Sequence, residues 1–271
     1  MDEGFLDSDL SFKAANHFLP VKDELLEAAR RFEEEKVENS IVFFGSARIL
    51  PEEEAKDSLK ELEDKISKQK DPSSKDLQLL DRARKDLFVS QFYTSAEELA
   101  YLFTEWSHKH PDPKDHFLVC SGGGPGIMEA SNRGAHRAGG RSIGLAIQIP
   151  YEQRPNTYAS PQLQFNFSAF LLRKFWFFHF AKAMVVFPGG IGTLDELFEI
   201  LTLIKTGKID HYIPIVLFGS EYWKKVINFD IMVEYGTISP EYMEYCHYSD
   251  SVEETFSYIT QALEEHHPKP S

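Results

Sequence analysis

The stretch MVVFPGGIGTLDELFEIL, residues 184–201, decides how the chain is read. MVVF has the length and β-branched content of a buried strand. PGGIG breaks the run, and TLDELFEIL continues with apolar residues at helical spacing. A strand that turns through glycine into a helix exposes unpaired N–H groups at the positive end of the helix dipole, which is an anion site. TLDE also fits a capping box, with Thr193 capping the helix and Glu196 reaching back to it. That reading places Asp195 and Glu196 in the first helical turn and is the structural alternative to a catalytic Glu196.

The same unit recurs. SIVFFGSARI, residues 40–49, reads as a strand ending in Gly45 and Ser46. HFLVCSG, residues 116–122, is a strand that enters the glycine turn of 122–126 and a helix beyond it. RSIGLAIQIP (141–150) and IPIVLFG (213–219) add strands. TSAEELAYLFTEWSHKH (94–110), SAFLLRKFWFFHFAKA (168–183), EYWKKVINFDIMVEYG (221–236) and VEETFSYITQALEEH (252–266) read as helices. Strands alternating with helices predict an α/β, Rossmann-like parallel sheet with helices on both faces. Ligands of such sheets bind beyond the carboxyl ends of the strands, where all three glycine turns fall. One domain over 1–271 is expected, with a helical segment at 1–38. A charge-dense helical insertion is expected at about 51–90, broken at DPSS.

Composition narrows the function. Lys+Arg 29 against Asp+Glu 43 gives a net charge of -14, which opposes binding to nucleic acid or anionic membrane. A few amides and one arginine still suffice for a small anion. The N-terminus lacks signal-peptide order, no apolar run reaches membrane length, and Cys120 and Cys246 are far apart. A cytoplasmic protein with buried thiols is expected, with no metal and no cofactor.

Neither of the glycine-rich turns at 122–126 and 189–192 is a P-loop, because no GK[ST] follows. In the first turn Glu129 stands where the dinucleotide fingerprint needs its third glycine, so the turns suit a mononucleotide. A carboxylate beside the ribose, from Glu196 or Asp195, could stabilise an oxocarbenium-like centre and orient water. FLLRKFWFF, residues 170–178, carries Arg173 and Lys174 inside an apolar helix. Both could snorkel to solvent. Alternatively Arg173, with its planar fork, could hold a phosphate or a departing purine. The apolar circumference of this helix predicts burial all round, hence a homodimer or higher oligomer.

GGGPGIMEA, the arginine–lysine pair and PGGIGTLDE together resemble the LOG family of cytokinin riboside 5′-monophosphate phosphoribohydrolases, often mislabelled lysine decarboxylases. The similarity runs from about residue 40 to 218, includes SIGLAIQIPYEQRPN and LTLIKTGKI, and is nearer the larger bacterial-type branch. It implies a Rossmann-like fold, a homo-oligomer and hydrolysis of a nucleotide N-glycosidic bond. It assigns catalysis to Arg173 and Glu196 and 5′-phosphate binding to Gly189, Gly190, Gly192 and Thr193. Ser46, Gly123, Gly124 and Glu129 border the nucleotide more loosely, and Lys174 and Asp195 complete the expected substrate-binding set. The charged insertion departs from short members, as does FLL before the pair, so the resemblance does not name the base or its N6 group. The decarboxylase label conflicts with the residues, since pyridoxal phosphate needs a Schiff-base lysine and an acidic partner for its ring nitrogen. A carrier of a nucleotide or of the molybdenum cofactor on the same fold is the non-catalytic alternative.

Overall fold

The computed structural model describes residues 8–149 and 155–267. A seven-stranded, all-parallel sheet has the order β4-β3-β2-β1-β5-β6-β7. Its strands are β1 Asn39–Phe44, β2 Phe117–Ser121, β3 Ser142–Ile147, β4 Gln164–Phe167, β5 Ala181–Val186, β6 Ile215–Phe218 and β7 Cys246–Ser249. The chain builds outward from β1 to β4, then returns to the other side of β1 with β5. The strand order reverses there, which opens a crevice at the carboxyl ends of β1 and β5.

Alternate strand residues go to opposite faces. Val42 and Phe44 of β1 join one apolar cluster, while Ile41 and Phe43 join the other. The first face is covered by α1 (Ser8–Glu34), α6 (Phe170–His179), α7 (Ile191–Lys205), α8 (Ser220–Val226) and α9 (Phe229–Glu234). The second is covered by α4 (Gln91–Ser107), α5 (Ile127–Arg137) and α10 (Val252–His266). The insertion is a helical hairpin, α2 (Glu52–Ser67) and α3 (Ser74–Val89), broken at DPSS as its sequence predicts. Each of its helices buries one alanine, Ala55 and Ala83.

The sequence reading differs from the structure at several elements. QFNF and CHYS are strands β4 and β7, too short and too polar to signal themselves. The stretch 221–236 is two helices, because Asn228 caps a new one through its side-chain oxygen and the Ile231 N–H. In α6, Phe170, Leu171 and Phe175 are exposed, so one copy of the chain does not bury this helix all round. The helical expectation for residues 1–7, and the similarity at 150–154, lie outside the described residues. Both cysteines are buried and unpaired. Among the described residues no helix is long and apolar enough to cross a membrane.

Candidate active site

The site begins with the start of α7. The helix starts at Ile191 with Gly190 as its N-cap, and its first backbone bond runs from the Leu194 N–H to the Gly190 oxygen. The N–H groups of Gly190, Ile191, Gly192 and Thr193 therefore have no hydrogen-bond partner among the described residues. A Cβ at Gly190 or Gly192 would meet nothing within 4 Å, and neither has a positive φ. Nothing within the chain demands glycine at these two positions; what glycine leaves is room in front of free amides.

This start corrects the capping-box expectation. Thr193 lies inside the first turn, no side chain caps the helix, and Asp195 and Glu196 fall in the second turn. The alternative role for Glu196 is thereby removed. Thr193 packs on Gly189 instead: a Cβ there would lie 2.2 Å from the threonine hydroxyl.

Glu196 turns inward, 6% exposed, and its Oε1 lies 3.3 Å from Arg173 Nη2. Arg173 comes from α6, where its guanidinium sits 5.2 Å from the Phe177 ring one helical turn along. Its Nε is buried without a hydrogen-bond partner among the described residues. Burial pushes the Glu196 carboxyl up to about 7, against the pull of Arg173 and with the help of the Asp195 charge. Burial also lowers the Arg173 pKa, which Glu196 partly restores.

Lys174 does not snorkel. Its ammonium is 2.7 Å from Asp195 and 2.7 Å from Glu199, clasping α6 to α7. Burial opposes its charge, but the two carboxylates outweigh it and raise the pKa. Asp195 is thus occupied by Lys174, whereas Glu196 faces the arginine.

The first glycine turn forms the opposite wall. A Cβ on Gly122 would stand 2.9 Å from Arg173 Nη2 and 2.6 Å from the Met128 sulfur. Gly126 has φ +70°, and a side chain there would strike the Ser46 oxygen at 2.3 Å. Ser46 joins the three turns: its N–H donates to Pro188, its carbonyl accepts from Ile127, and its hydroxyl oxygen accepts from Arg48 N–H. Gly123 and Gly124 are held by Asn156, whose N–H donates to the Gly123 oxygen and whose side-chain amide donates to the Gly124 oxygen. That amide also meets Asn132, which accepts from Ser121. Glu129 faces α4 and accepts a 2.9 Å bond from Tyr93. Asn156 and Tyr93 left no signal in the sequence, since each acts through a neighbour distant along the chain.

A family model described as "Possible lysine decarboxylase" matches residues 128–259. Over 155 residues the chain is 29% identical to the Arabidopsis thaliana cytokinin riboside 5′-monophosphate phosphoribohydrolase LOG3, covering 56% of this chain and 68% of that protein. Over these residues the chain is similar to the LOG family. The chain is also 30% identical over 115 residues to the Escherichia coli K12 pyrimidine/purine nucleotide 5′-monophosphate nucleosidase. That match covers 37% of this chain and 24% of the nucleosidase, so it spans about a quarter of the bacterial relative. Among solved structures, the structural-genomics target TM1055 superposes with TM-score 0.48 at 20% identity, over 82% of this chain and 99% of the target.

Proposed function

We propose that this chain hydrolyses the N-glycosidic bond of a purine nucleoside 5′-monophosphate, AMP or an N6-substituted AMP, to free base and ribose 5-phosphate. The observation that carries this reading is the buried Arg173–Glu196 pair set beside four unpartnered amides. The amides of Gly190, Ile191, Gly192 and Thr193 receive the 5′-phosphate at the positive end of α7. Glu196, one turn further, then faces the ribose. As its carboxylate it stabilises positive charge developing at C1′ and takes a proton from the attacking water. The electron pair of the breaking bond leaves with the base, whose nitrogen Arg173 stabilises by hydrogen bonding. The proton taken by Glu196 then passes to that nitrogen, which gives the free base and restores the carboxylate. Gly123, Gly124, Ser46 and Glu129 shape the wall behind the nucleotide.

The names of the plant and bacterial relatives support this reading, since both act on nucleoside monophosphates. The decarboxylase description fits the residues poorly: the Lys174 ammonium is held by two carboxylates and kept charged, which disfavours the free amine a Schiff base requires. The acidic surface and buried thiols accord with a cytoplasmic enzyme. The exposed apolar face of α6 and α7 accords with a homodimer. Against a carrier role stands the retention of both reacting groups; a carrier would release no base.

The test follows free adenine from AMP and from adenosine. Phosphate binding holds C1′ against Glu196, so adenosine should be worse by about a thousandfold in kcat/KM, roughly 4 kcal/mol of transition-state binding. Comparable rates would remove the phosphate cradle and the substrate assignment with it.

A further inference from the structure

Behind the free amides of α7 stands a residue from another element. The Tyr222 hydroxyl, on α8, donates a 2.6 Å hydrogen bond to the Gly189 carbonyl oxygen. Gly189 C=O and Gly190 N–H belong to one planar peptide unit, and in a trans peptide they point in opposite directions. Fixing the carbonyl toward α8 therefore aims the Gly190 N–H the other way, into the open space in front of the turn. We propose that Tyr222 is a positioning residue for phosphate recognition, setting the direction of the first amide of the cradle. This rests on the nucleotide hydrolase reading above.

The surroundings suit such a brace. Gly190 is flanked by glycines on the N-terminal side and one residue beyond, so its own torsions restrain the peptide weakly. Tyr222 is anchored beside Trp223, whose indole N–H donates at 3.0 Å to both Val186 and Phe218 carbonyls. Val186 ends β5, so the same short helix grips the strand and the turn that follows it. Burial raises the Tyr222 phenol above its ordinary value, which keeps it a proton donor at neutral pH. An unbraced peptide could rotate and present its oxygen to the phosphate, which repels it.

Tyr222→Phe deletes one oxygen and keeps the ring. The readout is the ratio of kcat/KM for AMP to that for adenosine, beside inhibition by ribose 5-phosphate. With one directing hydrogen bond lost, the ratio should fall by about three- to tenfold, and ribose 5-phosphate should inhibit more weakly by a similar factor. A merely structural role would lower both substrates together and leave the ratio alone. Trp106→Phe, at a side chain that packs on Phe117 at the opposite end of the sheet, is the control: it should lower the melting temperature while preserving the ratio. A Tyr222→Phe protein that melts early is assayed below its transition, where the ratio still reports on the cradle. An unchanged ratio in Tyr222→Phe, with the wild type still favouring AMP, overturns the positioning role alone. A wild type that does not favour AMP overturns the function reading, and the positioning role falls with it.

Discussion

Glu196 is buried, faces a guanidinium, and titrates near neutrality because burial outweighs that attraction. Its working form in the proposed mechanism is the carboxylate. With the carboxyl raised to about 7, kcat/KM should rise with pH through that value and level off above it. Glu196→Gln should lower turnover by about 10²–10⁴ and abolish this limb, as seen in a pH profile of adenine release. Near-normal turnover in the variant would leave Glu196 without a chemical role, since the helix cap that could have explained it is absent. Arg173 offers a complementary test. Arg173→Lys keeps the charge but loses the planar fork that spans from Glu196 to the first glycine turn. We expect at least about a tenfold loss in kcat with a melting temperature close to wild type. Full activity with lysine would mean that only the charge matters.

Helix α7 opposes stability to function within its first turn. Glycine at N2 costs a helix up to about 1 kcal/mol relative to alanine. At Gly192 the backbone is unstrained and the added methyl would meet nothing in the chain. Gly192→Ala should therefore leave stability unchanged or raise it by about 0.4–1 kcal/mol in chemical denaturation. The same methyl occupies the space a phosphate needs, so KM for AMP should rise. A stabilised variant with an unaltered KM would show that no ligand comes close to this turn. The Lys174 clasp with Asp195 and Glu199 explains how α6 and α7 keep Arg173 and Glu196 in register. Two successive helices, joined through β5, thus bring Arg173 and Glu196 face to face.

Across the whole molecule, one surface is left incomplete. On α6, Leu171 and Phe175 lie one turn apart on an outward face; on α7, Ile191 and Phe198 do the same two turns apart. A hollow of about 600 Å³ runs along α7, lined by Ile191, Leu194 and Phe198. One of about 380 Å³ lies between α6 and α7, lined by Leu171, Phe175 and Leu203 together with His179 and Glu199. Ile191 is 82% exposed although it carries one of the free amides, so a second copy covering this face would also reach the edge of the site. Sedimentation at micromolar concentration should give a dimer. Leu171→Glu should weaken it by about 2 kcal/mol or more and reduce turnover in step with dissociation. A fully active monomer would overturn this assembly.

Much of this was legible in the order of residues. Apolar runs that enter glycine turns and then amphipathic helices dictate a parallel sheet, because such strands need both faces covered and each crossover needs a helix. The glycines of 189–192, the arginine within an apolar helix and the DPSS break are local signals, and they appear where their sequence places them. What the sequence could not settle was where α7 begins, since TLDE satisfies a capping rule that the helix overrides by starting at Ile191. It could not assign Lys174 to Asp195 and Glu199 or Arg173 to Glu196, because those pairs form only when α6 packs beside α7. Nor could it show Tyr222 behind Gly189 or Asn156 behind Gly124, contacts that link segments 33 and 32 residues apart. Local pattern determines which elements form; side chains that aim another element's backbone are decided by packing, which brings together groups that leave no periodic trace in the chain.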